Sequence, residues 1–248
     1  KEKLSCYKNI KYIHGNHDNI QEILNDLKID KVDGILLDLG VSSYQIDKRE
    51  RGFSYMINEA DLDMRMDKTS NFTAKDVVND YPEEKLYEII HKYGEENFAK
   101  KIARNICIER KNKKIEKTGE LVEIIKKSIP AKFQINGHPA KKTFQAIRIE
   151  VNNEIEPLYN TVMSSINALK QHGRLCIITF HSLEDRAVKN AFTAASGVCT
   201  CPKDLPYCVC GAVSIGKIIT RKPIIPSKEE QEENSRAKSA KLRIFEKN

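Results

Sequence analysis

Apolar positions change period several times along the first 45 residues. Residues 10–14, IKYIH, read as a strand, and residues 18–28 place Ile20, Ile23, Leu24 and Leu27 on one face of a helix. Ile35, Leu36 and Leu37 then form an apolar run bounded by Asp33-Gly34 and Asp38-Leu39-Gly40. That run predicts a short strand buried on both faces inside a parallel sheet. Strand, helix, strand is half of a nucleotide-binding unit, yet its Gly-rich first turn is nowhere in these residues and is expected before Lys1. In open α/β sheets ligands bind beyond the carboxyl ends of the strands. Asp38, Gly40, Ser42 and Ser43 therefore fall where a site belongs.

Residues 47–67 show mixed charge and no clean period, which predicts a long ordered loop. Within it Arg65 either pairs with Asp63 or faces a ligand. From Phe72 to Lys132 the period is helical, with helices expected over 73–79, 82–93, 95–110 and 118–128. Thr143 is expected to cap a helix carrying Phe144, Ile147 and Val151 that breaks near Asn152-Asn153. A further helix with Pro157 in its first turn is expected to run to His172-Gly173, followed by a strand over 174–180. His181 sits at the carboxyl end of that strand, on the same rim as Asp38 if the two strands are parallel. Ser182 and Asp185 have the spacing of a capping pair. Two closing strands are expected near 217–220 and 240–245.

Composition narrows the class. The chain has 248 residues, 40% of them hydrophobic, and no apolar run of the roughly 18 residues a membrane helix needs. No secretory signal pattern is present, so a cytoplasmic location is expected. The net charge of +7 suits a polyanionic partner without identifying one. Residues 72–142 carry 16 Lys and Arg against 11 Asp and Glu, and the run 110–114 is a candidate phosphate grip. Lys141, Lys142 and Arg148 are the best placed residues for backbone contacts to a nucleic acid, with Arg65 beside them as a loop candidate.

A Ser/His/Asp hydrolase is disfavoured, since His181 and Ser182 are adjacent on one turn and no G-x-S-x-G elbow exists. Cys199, Cys201, Cys208 and Cys210 form a C-x-C pair of pairs. The usual zinc knuckle is C-x-x-C, so structural zinc, a redox pair and four free thiols stay open.

The segments DLGVSSYQ, RGFSY, LDMRMD, GHPAKKTFQAIRIEVNNE, RLCIITFHSLEDRAVK and NSRAKSAKLR occur in that order from residue 38 to residue 243. Their ordered combination resembles the bacterial ribosomal RNA small-subunit methyltransferase H family, also called MraW. The resemblance implies an α/β, Rossmann-like S-adenosylmethionine-dependent methyltransferase sheet, its first βαβ unit absent here, with an inserted all-helical domain. The core is then expected over 1–66 and 140–248, and the insertion, with a role in RNA recognition, over 67–139. It also implies methylation of the N4 amine of a cytidine in the decoding region of small-subunit ribosomal RNA.

Carried over by position, Asp38 and Gln45 match residues that contact the cofactor, and Gly40 lies between them. His17 stands where the family usually has a Phe against the adenine. Lys141 and Lys142 replace a Thr-Arg pair, keeping basic character but losing a hydroxyl and a guanidinium fork. Asp38 is the favoured acceptor for an amine N–H or holder of the cofactor's methionine end, with Ser42 and His181 next in rank for contacting the base. Naked RNA and an assembled small subunit are both open as substrates, and a homodimer is among the assemblies left open. The competing class is a non-catalytic RNA-binding or ribosome-assembly factor using the cysteine cluster as a metal module.

Overall fold

A computed structural model describes residues 7–135, 137–199, 201–202, 205–207, 209 and 211–248. In chain order its helices and strands are α1 (Ile20–Asp26), β1 (Val32–Asp38), α2 (Ser43–Asp47), α3 (Ala74–Asp80), α4 (Glu83–Gly94), α5 (Ala99–Asn112) and α6 (Thr118–Ser128). They continue as α7 (Lys141–Asn152), α8 (Leu158–Ala168), β2 (Leu169–Thr179), α9 (Ser182–Ala195), β3 (Gly216–Ile218), α10 (Lys228–Glu233) and β4 (Lys241–Lys247). The chain divides into two compact units, one built from the residues up to Gly40 and from Ile155 onward, the other from Val41–Glu154.

The first unit is a four-stranded mixed sheet in the order β1-β2-β4-β3. β1 and β2 are parallel, with Ile35 opposite Leu175, Leu37 opposite Ile177 and Asp38 opposite Ile178. β4 is antiparallel to both β2 and β3. Leu37, Leu175, Ile177 and Phe245 meet Leu158, Val162 and Ile166 of α8 and Val188 and Phe192 of α9 in one buried cluster. Such burial contributes roughly 1.5–3 kcal/mol per large side chain.

Three expectations fail here for a common reason, that pairing decides what an apolar run becomes. Residues 10–14 form no strand, because they find no ladder partner, and Tyr12 and Ile13 stay exposed. Within this chain β1 pairs on one side only, with β2, and Leu37 is buried while Leu36 is 66% exposed, where the apolar run predicts burial on both faces. The helix expected to reach His172-Gly173 ends at Ala168, and Leu169 pairs with Val32 instead. The register then slips before Gly34 meets Arg174. His172 adopts a positive φ of 61° in this irregularity, and a Cβ on Gly173 would lie 2.9 Å from the Lys170 carbonyl oxygen.

The second unit is helical. Leu86, Ile89 and Ile90 of α4, Ile102 and Ile106 of α5, Leu121 and Ile125 of α6, and Phe144 and Ile147 of α7 are all buried. It extends beyond the expected 67–139 because α7 buries Phe144, Ala146, Ile147 and Ile149 and packs on α4. The loop before α3 is tied in as well. Arg51 donates to the carbonyl oxygens of Arg65 and Met66, and the Met66 amide donates to Asn152 Oδ1 at 2.7 Å. Thr143 is not the cap of α7: the helix begins two residues earlier, with Ala140 at the cap position, and Thr143 is buried within its first turn. Asn153 ends it in a left-handed conformation, φ 49°.

Candidate active site

The parallel pairing of β1 and β2 puts Asp38 and His181 at the same carboxyl-terminal edge of the first unit. The Leu39 amide donates to the Ile178 carbonyl at 3.1 Å, so the chain leaves the sheet beside the end of β2. Asp38 is exposed there. Gly40 follows in the left-handed region, φ 82°, which a side chain would strain. A Cβ added to it would meet Glu184 Oε1 at 3.7 Å and Phe180 Cδ2 at 3.9 Å.

Glu184 organises this rim. It is 1% exposed, and its Oε2 accepts the amides of Phe180 at 2.8 Å and His181 at 3.3 Å. His181, rather than Ser182, caps α9. Its Nδ1 accepts the Glu184 amide at 3.4 Å while the Glu184 carboxylate returns to the His181 amide, a reciprocal capping box. Because the imidazole occupies the cap, Ser182 is displaced into the helix. Asp185 instead binds Arg243 on β4, with Nε and Nη2 donating at 2.6 and 3.1 Å. Burial pushes the Asp185 carboxyl up, but hydrogen bonding and attraction from Arg243 outweigh it and hold the group below its ordinary value.

His181 Nε2 is buried and lacks a hydrogen bond. Glu184 Oε1 lies only 3.1 Å from it, off the line of a hydrogen bond. A buried polar atom left in this way is a group that a ligand can satisfy. Sequence reasoning singled out His181 and missed Glu184, whose signal was the H-x-x-E spacing at the head of a helix.

The other first-unit candidate, His17, is exposed in a short 3₁₀ turn, with Nδ1 3.1 Å from Asp18 Oδ1. The same carboxylate oxygen accepts the Thr161 hydroxyl, which ties that turn to α8. No hydrogen bond among the described residues joins His17 to Asp38 or Gly40.

In the second unit, Ser42 and Gln45 are engaged with each other. Ser42 caps α2, its amide donates to Gln45 Oε1 at 2.8 Å, and its hydroxyl accepts the Gln45 amide at 3.3 Å. Arg65 pairs with Asp63 by two bonds of 2.8 and 2.7 Å, and it also donates to the carbonyls of Lys68 and Ser70. Arg148 forms an equivalent fork on Glu154, both bonds 2.8 Å. Both guanidinium groups are thus committed to carboxylates of their own unit, while Lys141 and Lys142 are exposed at the start of α7.

The run 110–114 is tied to its own unit as well. Arg110 donates to the Val78 carbonyl and Lys113 pairs with Glu120 at 2.5 Å. It borders an open cleft of about 720 Å³ whose lining holds four glutamates and four lysines, so the lining carries no net formal charge. Of the cysteines, Cys199 is exposed and Cys201 Sγ accepts the Val209 amide at 3.4 Å. Cys208 and Cys210 lie outside the described residues.

The MraW methylase family model matches residues 1–248. A ribosomal RNA small subunit methyltransferase H of Clostridium botulinum (strain Loch Maree / Type A3) is 60% identical over 247 residues, covering 100% of this chain and 80% of that protein. The protein of the same name from Clostridioides difficile (strain 630) is 56% identical over 249 residues, with the same coverage. That of Lachnospira eligens is 57% identical over 235 residues, covering 94% of this chain and 74% of the relative. With a mixed α/β sheet that carries its polar rim at the ends of a parallel strand pair, the chain belongs to the MraW methylase family.

Proposed function

We propose that this chain takes part in transferring a methyl group from S-adenosylmethionine to small-subunit ribosomal RNA, and that the acceptor is the exocyclic N4 amine of a cytidine in the decoding region. Its family and the names of its relatives support the reaction class. The observation that carries the assignment to residues is the rim at which Asp38, Gly40, His181 and Glu184 meet at the ends of β1 and β2.

These residues fit the amino-acid end of such a cofactor. Asp38 offers an exposed carboxylate to an ammonium, Gly40 leaves its backbone face without a Cβ, and the buried Nε2 of His181, with Nδ1 accepting the Glu184 amide, has a hydrogen bond to give. When bound, the cofactor supplies an electrophilic methyl group. The chain supplies position and proton handling. A cytosine amine is a weak nucleophile because its lone pair is delocalised into the ring. A carboxylate oxygen that accepts one N–H hydrogen bond favours rehybridisation of that nitrogen, and fixed orientation supplies much of the remaining acceleration. Asp38 takes the acceptor role or holds the cofactor's ammonium. Glu184 fixes the turn on which His181 stands. The base must leave its stack to reach a pocket, which suits single-stranded or remodelled RNA.

The test is methyl transfer from labelled S-adenosylmethionine to small-subunit RNA by the complete gene product, with the modified nucleoside identified by mass spectrometry. N4-methylcytidine supports the assignment. A methyl group on another base or on a ribose refutes the proposed acceptor.

A further inference from the structure

We propose that the end of the helical unit where α4 stops and α5 and α7 begin is a platform for single-stranded RNA, on which Phe133 stacks a base while Lys100, Lys101, Lys132, Lys141 and Lys142 hold phosphates. The proposal rests on the RNA-directed function above and adds a surface that binds the strand.

Phe133 is a large apolar ring held in place at the surface. It is 57% exposed, in a 3₁₀ turn whose last amide donates to the Pro130 carbonyl at 2.9 Å. Its ring rests on that of Phe98, centroids 5.1 Å apart and planes inclined by 54°, and Lys132 Nζ lies 5.1 Å from its centroid. The neighbouring Gln134 side chain donates to the Lys126 and Ile129 carbonyls and anchors the turn to the end of α6. A fixed, exposed ring beside a cation is what stacking of an unpaired base uses, and such stacking tolerates any base.

The lysines are placed against the local helix electrostatics. α5 opens with Lys100 and Lys101 and α7 with Lys141 and Lys142, and neither helix has an acidic residue in its first turn or a side-chain cap. Cations at the positive end of a helix dipole destabilise it, so both helices carry a charge arrangement that an anion would relieve. Elsewhere in this unit Lys75, Lys85, Lys113, Lys117 and Lys126 each pair with a carboxylate. Lys48, Lys68, Lys111, Lys114 and Lys127 form no ion pair among the described residues, but none of them sits in a turn that bears an exposed ring. Among the described residues Lys100, Lys101, Lys132 and Lys141 form no ion pair. Lys142 donates to the Glu95 carbonyl at 2.9 Å, which leaves its charge unneutralised. The nearby acids are few: Glu95 is exposed, and Glu96 is buried and accepts the Phe98 amide at 3.0 Å.

The parts are contiguous. Lys142 reaches Glu95, Glu96 caps Phe98, and Phe98 supports Phe133. Unpaired cations around a flat ring favour a polyanion with stackable bases over an acidic protein, which would need acceptor charges but no ring.

The experiment measures binding of a labelled single-stranded RNA of about a dozen nucleotides to the 248-residue chain and to the complete gene product by fluorescence anisotropy. Phe133→Ala is expected to weaken binding about tenfold and Phe133→Tyr to retain it, since tyrosine keeps the ring. Lys100→Ala with Lys101→Ala is expected to lower the slope of log affinity against log salt by about one to two. The platform is refuted if the unsubstituted protein fails to bind, if Phe133→Ala binds as it does, or if polyglutamate competes equally in the presence and absence of the ring. Methyl transfer measured on the same variants separates the two claims. Active transfer with RNA binding indifferent to Phe133 sinks the platform and keeps the enzyme. Binding that depends on Phe133 in a protein without transfer keeps the platform and sinks the enzyme.

Discussion

The carboxylate of Glu184 and the imidazole of His181 hold each other from both ends. Nδ1 of the ring accepts the Glu184 amide while the carboxylate accepts the His181 amide and stands 3.1 Å from Nε2. That reciprocity fixes the turn between β2 and α9 beside Gly40. Glu184→Ala leaves the amides of Phe180 and His181 without their acceptor and is expected to cost about 2 kcal/mol of stability, read as a lower urea midpoint at unchanged slope. Glu184→Gln keeps one oxygen acceptor and should lose less. Equal stability of both variants and the parent would remove Glu184 from its organising role.

Asp38 stands exposed at the end of β1, without a packing role. Asp38→Ala in the complete gene product is expected to abolish methyl transfer and to leave RNA affinity within about twofold of the parent, since a lone surface substitution of this kind changes stability by only about 0.5 kcal/mol. Retained transfer would show that its carboxylate has no part in the chemistry.

Gly40 adopts a φ of 82° beside Glu184. Gly40→Ala is expected to cost about 1–2 kcal/mol through backbone strain and to weaken cofactor binding more than RNA binding, because the backbone would shift at the rim. Calorimetric titration with S-adenosylmethionine reads the effect. An unaltered cofactor affinity would place the ligand elsewhere.

Acid should loosen the helical unit through Glu120. Burial pushes its carboxyl up, but the hydrogen bond from Lys113 and the amides of Lys117 and Glu116 outweigh it and hold it at about 2, below its ordinary 4.5. A depressed carboxyl contributes stability that is present above pH 4.5 and is lost as the pH falls from there toward 2. Glu120→Gln is therefore expected to flatten the fall in thermal midpoint across that window. Identical pH profiles for parent and variant would show that the group does not couple to folding.

The sequence and the structure agree where local pattern and tertiary pairing ask for the same thing. The helix over 118–128 appears at its expected bounds, because Leu121, Val122 and Ile125 give a period that its buried face uses directly. His181 and Asp38 on one rim were legible from two short apolar runs, given a parallel sheet. Which side chains of β1 stay covered within this chain was not legible, since a run of three apolar residues reads alike whether one face or both are covered. Leu169 shows the same limit: its helical spacing continued that of Ile166, but pairing with Val32 won. In the helical unit, the pairing of Arg65 with Asp63 was one of the two readings its loop allowed, whereas Arg148 read as a cation for a nucleic-acid backbone. Glu154, six residues after it, engages that guanidinium instead. Glu184 escaped notice because burial of a carboxylate is decided by the cap it makes, not by its own polarity.

The most direct test of the central claim is transfer of labelled methyl from S-adenosylmethionine to small-subunit ribosomal RNA by the complete gene product, compared with its Asp38→Ala variant. The account predicts N4-methylcytidine from the parent protein, none from the variant, and comparable RNA binding by both. Equal methyl transfer by the two proteins, or a product methylated at any other atom, would contradict it.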